Sequence, residues 1–178
     1  MKIIHDGEKI FELWKPIDDY PNYQVSSFGR IKRFYKNGKS KILKPGINAN
    51  GYYRVKLSKK EKQKSFSVHR LVAQAFINNP YNKPVVDHID NNRKNNHIHN
   101  LRWATVQENS MNSSRRYDNT SGTKGVSWHK HDKQWHARIR INGKIIQIGY
   151  YDKLEDAVKA RKQKAKEIFG EFTNECER

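Results

Sequence analysis

An adjacent carboxylate and imidazole, Asp87-His88, and a side-chain amide at Asn109 are the residues of this chain best suited to chemistry. A hard divalent cation prefers oxygen ligands and keeps several waters, so the Asp87 carboxylate and the Asn109 amide oxygen form a plausible partial site, completed by phosphate oxygens. An imidazole such as His88, with an ordinary pKa of about 6.5, can take a proton from an attacking water near neutral pH. Together the three groups suit hydrolysis of a phosphodiester.

The stretch from Val85 to Asn112, VVDHIDNNRKNNHIHNLRWATVQENSMN, must position them. Val85-Val86 begin a short strand that runs into Asp87-His88, and Asp90 to Asn96 is a turn-rich run of Asp, Asn, Arg and Lys. Leu101, Trp103 and the Thr105 methyl alternate with Arg102 and Ala104 as in a half-buried strand. Thr105-Val106-Gln107-Glu108 is a capping-box pattern, so a helix is expected to begin there and to carry Asn109. The predicted unit is ββα. Arg102 points away from Leu101 and Trp103, either toward a scissile phosphate or onto the strand surface. His97 and His99 precede Asn100 in the loop and are read as DNA-facing or solvent histidines, since no cysteines accompany them as zinc ligands.

DHIDNNRKNNHIHNLRWATVQEN resembles the HNH nuclease motif in the form carried by intron-encoded homing endonucleases of phages and bacteria. Position by position, the resemblance implies that His88 is the general base and that Asp87 and Asn109 are metal ligands for Mg²⁺ or Mn²⁺. Asn100 would be the middle Asn of the motif, holding the loop through side-chain-to-backbone hydrogen bonds. The chain departs from the motif's name in having Asn109 where many relatives carry a third His. An amide oxygen suits Mg²⁺ and makes softer metals less favourable.

Composition bounds the partners. Lys and Arg number 36 against 18 acidic residues, a formal charge of +18 with a pI near 10.0 and 11% aromatics, which points to a polyanion. No run of about 18 apolar residues occurs, so no membrane span is expected. The N-terminal residues MKIIHDGEKIFELW lack an apolar core with a small-residue cleavage site, and Cys176 has no second cysteine to pair with, so an intracellular protein is the expectation.

Composition breaks predict an α+β chain of three small modules, each with a thin core. Residues 1–64 read as a β-rich module with strands near Tyr23–Val25, Arg30–Phe34, Ile42–Leu43 and Tyr52–Leu57, and with Asn37-Gly38 as a hairpin turn. Up to residue 60 it carries fourteen basic and five acidic residues, a density that suits phosphates, and its Arg30–Phe34 strand is expected to gather the basic residues on one face. WKPIDDYPNYQVSSFGRIKR resembles the nuclease-associated modular domain that often precedes HNH motifs, which implies backbone contacts from Arg30, Lys32 and Arg33. Residues 65–114 would form the nuclease unit. It opens with a helix, SVHRLVAQAFI, capped by Ser67 and stopped at Asn78-Asn79-Pro80, with Val68, Leu71, Val72, Ala75 and Phe76 on its apolar face. His69 lies one position off that stripe and is read as structural or exposed, and Arg70 as a surface or phosphate-contacting group.

A basic linker over residues 115–123, beginning with Arg115-Arg116, leads to a third module over residues 124–174. Strands are expected at Gly125–His129, Gln134–Ile141 and Lys144–Tyr150, the last two joined by Asn142-Gly143. A helix with Leu154, Ala157, Val158, Arg161, Ala165 and Ile168 inward follows, capped by Asp152 and stopped by Gly170. GVSWHKHDKQWHARIRINGKIIQIGYYDKLEDAVKAR resembles the apetala-type (ethylene-response-factor) DNA-binding domain. By position, the resemblance implies DNA reading by Ser127, His129, Arg138, Arg140 and Gln147. Ser127 and Arg138 differ from the plant pattern, so the plant target is not implied.

The combined expectation is a monomeric, Mg²⁺-dependent, site-specific endonuclease acting on double-stranded DNA, nicking one strand and leaving 5′-phosphate and 3′-hydroxyl ends. Two rivals stand beside it: a DNA-binding regulator in which the HNH unit is only scaffold, and an RNA-binding protein, which would prefer single strands.

Overall fold

Gly, Asn and Pro punctuate the chain into short strands, which a computed structural model describes for residues 2–5, 8–114 and 117–174. Arg115, Arg116 and Cys176 lie outside the described residues. The chain divides into two units, Met1–Trp103 and Ala104–Arg178.

The first unit contains β1 (Lys2–His5), β2 (Glu8–Phe11), β3 (Trp14–Ile17), β4 (Tyr20–Ser26), β5 (Ile31–Phe34), β6 (Ser40–Leu43), β7 (Gly46–Ile47), β8 (Tyr53–Lys59), β9 (Lys62–Ser67), α1 (Val68–Phe76), β10 (Val85–His88) and β11 (Leu101–Ala104). Strands β3 to β6 form a four-stranded antiparallel sheet in chain order, and β7 to β9 a three-stranded one, while β1 pairs with β2 and β10 with β11. Pro16 sits on the edge strand β3, where its missing N–H costs no ladder bond.

One cluster, from Ile17, Tyr23, Val25 and Ile31 through Val55, Leu57, Val68, Leu71 and Val72 to Val86 and Leu101, fills this unit. The expected separate thin cores are therefore one core here, with α1 laying its apolar stripe into it. Burying a side chain such as Leu57 or Val72, both 0% exposed, stabilises by about 1.5–3 kcal/mol. Trp103 donates its indole N–H to Ile77 O at 3.0 Å and ties the end of α1 to β11.

One expectation for β5 needs correction. The basic residues of β5 do not share a face: Arg33 stands opposite Tyr23 and Lys32 opposite Gln24, because side chains alternate along a strand and Ile31 takes the buried side with Arg33. Ser67 holds the expected N-cap position of α1, without a side-chain cap bond.

In the second unit, α2 (Val106–Met111) starts at the Thr105 cap. Glu108 N–H donates to Thr105 Oγ1 at 3.1 Å and Thr105 N–H to Glu108 Oε2 at 2.6 Å, the reciprocal pair expected of a capping box. Strands β12 (Val126–His129), β13 (Gln134–Ile141) and β14 (Lys144–Tyr151) form an antiparallel sheet, and α3 (Leu154–Phe169) packs on it. Ala137 and Ile139 are buried against α3 while Arg138 and Arg140 are exposed, as the alternation predicts. Asn142 and Gly143 both have positive φ, 50° and 77°, as a two-residue hairpin of the mirror-image kind requires. The α3 N-cap is Lys153 rather than Asp152, whose carboxylate instead accepts from Gln134 Nε2 at 3.0 Å.

Candidate functional site

Strand β10 ends in two buried polar residues, Asp87 and His88, at 3% and 5% exposure. A buried carboxylate is stable only when its charge is answered. Arg102, on the paired strand β11, does so with Nε and Nη2, each 2.8 Å from Asp87 Oδ2. His88 Nε2 lies 3.1 Å from Asn96 Oδ1, and Asn96 Nδ2 donates to Lys94 O at 3.3 Å, which fixes the amide's orientation. With the amide so oriented, Asn96 Oδ1 is placed to accept a proton carried on His88 Nε2. Burial pushes the His88 pKa below the ordinary histidine value, outweighing the hydrogen bond to Asn96 and the nearby Asp90 and Asp87 charges.

The polar run between the strands is stitched by its own side chains. Asp90 Oδ1 accepts from Asn92 N at 2.7 Å and from Asn100 Nδ2 at 2.8 Å, and Asp90 Oδ2 accepts from Asn95 Nδ2 at 2.7 Å. Asn100 also donates to Asn95 O at 2.8 Å and accepts from Asp90 N at 3.0 Å, so a single amide closes the loop at both ends. The loop is held from outside as well: Ile98 N donates to Ser27 O at 2.9 Å, and Arg93 Nη1 to Asn50 O at 2.7 Å. Gly29, at φ +79°, presses so closely on the loop that a Cβ there would lie 2.7 Å from Asn96 Cβ.

His69, read from the sequence as structural or exposed, lies beside the site. His69 of α1 is buried, and its ring centroid lies 5.0 Å from His88 in an edge-to-face arrangement, with Tyr52 5.0 Å away on another side. Among the described residues its Nδ1 has no hydrogen-bond partner. Burial, with the neighbouring His88, Arg70 and Arg54, pushes its pKa down to about 3. The only signal in the sequence was its place beside the apolar stripe of an amphipathic helix.

Of the loop histidines, His97 is half-buried and His99 exposed. His97 Nδ1 accepts from His99 N at 3.3 Å at the start of the 3₁₀ turn Ile98–Asn100, and its ring lies 4.6 Å from Phe28. In the second unit, Asn109 sits on α2, where its N–H donates to Thr105 O at 3.1 Å.

The expected DNA contacts are placed as follows. Arg30 is fork-paired with the buried Glu12 carboxylate, Nε to Oε1 at 2.8 Å, a pair that holds Glu12 below the usual carboxylate range although burial alone would raise it. Lys32 Nζ stands 4.0 Å over the Trp14 ring, and the Arg33 guanidinium 4.9 Å over Tyr35. Ser127 stands opposite His136 in the sheet, and Arg138 opposite Gln147. The Gln147 amide donates to Ala137 O and Gly149 O, both at 3.1 Å, so it is engaged by the sheet backbone. Arg140 is exposed on β13, and His129 ends β12.

Asp87 and Asn109 offer oxygen donors alone, a carboxylate and an amide carbonyl, which fits a hard divalent ion. Among the described residues no helix is long and apolar enough to cross a membrane.

Comparison with known proteins places these features in a family context. Residues 12–58 match the NUMOD4 motif, and residues 66–111 match the HNH endonuclease family. The chain is 43% identical over 94 residues to the uncharacterized HNH endonuclease L245 of Acanthamoeba polyphaga mimivirus, covering 53% of this chain and 28% of that protein. It is 41% identical over 136 residues to DNA endonuclease I-HmuI of Bacillus phage SP01, covering 76% of this chain and 71% of the phage protein. The chain thus spans little more than a quarter of the mimivirus relative and about seven-tenths of the phage one. Among solved structures, that of the HNH homing endonuclease I-HmuI, described as showing DNA binding and cleavage, matches with a TM-score of 0.50 and 44% identity over 55% of each chain.

Proposed function

The chain belongs to the HNH homing endonuclease family, and on that footing we propose that it is a site-specific endonuclease that hydrolyses one phosphodiester of double-stranded DNA. The observation that carries the reading is the buried Asp87-His88 pair at the end of β10, with Arg102 on the carboxylate and Asn96 on the imidazole.

Asp87 and Asn109 would hold Mg²⁺ or Mn²⁺, which when bound supplies positive charge beside the leaving oxygen. The chain's residues do the rest. Asn96 keeps the proton of His88 on Nε2, so Nδ1 takes a proton from water. The water oxygen bonds to phosphorus, the P–O3′ bond breaks with its electron pair going to O3′, and 5′-phosphate and 3′-hydroxyl ends result. Arg102 orients Asp87, and Asn100 holds the loop that presents Asn96. One such site per chain favours a monomer that nicks one strand.

The flanks supply grip. The charge of +18 supports sequence-independent attraction to phosphates, with Arg30, Lys32, Arg33, Arg115 and Arg116 on the backbone. The exposed Arg138 and Arg140 of β13, with Ser127, His129 and Gln147, would read base edges as an apetala-type sheet does. In this reading the segments 1–64, 65–114 and 124–174 act as grip, nuclease and reader, with 115–123 as a linker between the last two. The sequence rival, a DNA-binding regulator on an inactive HNH scaffold, is separated by supercoiled-plasmid relaxation. Wild type should relax plasmid only with Mg²⁺, and His88→Ala should bind without cutting; binding by wild type without metal-dependent relaxation would establish the regulator instead.

A further inference from the structure

The turn joining β12 to β13 carries the sequence His129-Lys130-His131-Asp132, and His136 follows on β13. Strand pairing folds these positions onto one another: the His129 and His136 rings stack with centroids 4.4 Å apart and planes inclined by 14°. The Asp132 carboxylate lies beside a ring nitrogen of each. Its Oδ2 lies 2.9 Å from His129 Nδ1 and 3.1 Å from His136 Nε2, while Oδ1 lies 2.9 Å from His131 Nδ1. One ligand atom from each of His129, Asp132 and His136 falls within 4.8 Å of the others.

The cluster brings three ring nitrogens onto one carboxylate. His136 Nε2 is buried and approaches Asp132 Oδ2 at 3.1 Å. His129 Nδ1 accepts the Asp132 backbone N–H at 3.4 Å and lies 2.9 Å from Asp132 Oδ2. Either a proton on a ring nitrogen or a shared cation answers the Asp132 charge, and two imidazole nitrogens converging on one carboxylate oxygen form a ligand set that suits a cation. Ligands about 2.0–2.1 Å from an ion stand roughly 2.8–3.4 Å apart in octahedral to tetrahedral sites, and the two carboxylate–imidazole spacings of 2.9 and 3.1 Å lie in that range.

We infer that His129, Asp132 and His136 form a binding site for a borderline divalent transition ion of the Zn²⁺ class, with His131 or water as a fourth ligand. Imidazole with carboxylate favours such ions over Mg²⁺. His136 is held by its neighbours, its ring edge-to-face with Tyr150 at 4.3 Å, so half the site is preorganised on the sheet. An ion there would cross-link both ends of the hairpin.

The test uses the full chain carrying Asp87→Asn, so that zinc uptake at the nuclease residues is suppressed, after treatment with a chelator. Calorimetric titration with Zn²⁺ should show one equivalent bound, and Co²⁺ should give visible d–d absorption. Adding His136→Gln, or separately the exposed His129→Asn, should weaken Zn²⁺ binding at least about tenfold, since each removes a ligand, while far-ultraviolet circular dichroism stays unchanged. Zn²⁺ binding unaltered by His129→Asn, or no binding by the Asp87→Asn chain, overturns the site. Plasmid relaxation by the chain with native Asp87 is a separate readout, so the nuclease reading stands or falls independently.

Discussion

Arg102 reaches across from β11 to place both Nε and Nη2 at 2.8 Å from a single oxygen of Asp87, and the pair is almost wholly shielded, with side-chain exposures of 14% and 4%. Removing one member of such a pair leaves the other charge buried and unanswered. Arg102→Ala should lower folding stability by about 2–3 kcal/mol, discounted for the residual exposure of the arginine. Urea unfolding measures this, and a change below about 0.5 kcal/mol would mean that solvent already answers the carboxylate.

His88→Ala should leave DNA affinity within about twofold in gel-shift titration and reduce single-turnover cleavage by about 10²–10⁴-fold, the range for a lost general base. Full activity in the variant would assign proton removal elsewhere.

Gly29 touches no candidate catalytic residue, yet it supports one through Asn96. Gly29→Ala meets both a positive φ of +79° and a contact of 2.7 Å with Asn96 Cβ, so it should cost about 1–3 kcal/mol. Because Asn96 holds His88 Nε2, the cleavage rate should fall as well. A variant with lowered stability and an unchanged rate would show that the loop shifts without moving Asn96.

His69 links stability to acidity. Its pKa is about 3 in the folded chain against about 6.5 when unfolded, so between these values the unfolded chain binds the extra proton. Stability contributed by neutral His69 is therefore fully present above about pH 6.5 and declines as pH falls toward 3. Denaturant unfolding at pH 7.5 and 5 should show the loss, and His69→Phe should flatten the dependence. Equal slopes in both proteins would assign the acid sensitivity to other groups.

Grip and reading should separate by salt and by sequence. With about eight phosphates contacted, log affinity should fall against log salt with a slope of about −7. Lys32→Ala should weaken binding to all sequences, whereas Arg138→Ala should relax preference at one base pair by about 1–3 kcal/mol. Equal losses on every duplex for Arg138→Ala would remove it from base reading.

Much of the local architecture was legible in the residues. The Asn142-Gly143 hairpin, the Thr105/Glu108 box, the alternation of β13 and the stripe of α1 are each specified within a few positions by φ preferences, capping and periodicity. Strand β9, KQKSFS, was not legible, because its polar residues are held by pairing with β8 rather than by an apolar face of their own. The basic strand β5 likewise divides its charges by alternation, which composition alone does not register.

The residues for a nuclease site were present in the order Asp87, His88, Asn100, Asn109, and the charge of the chain already pointed to a polyanion. Their environment came from partners distant along the chain. Arg102 answers Asp87, His69 meets His88 from a preceding helix, Gly29 braces Asn96, and His136 joins His129 and Asp132 through strand register. Whether a polar side chain is buried, charged or aimed at a neighbour depends on which surface packs over it, and that surface exists only once separate segments share a core.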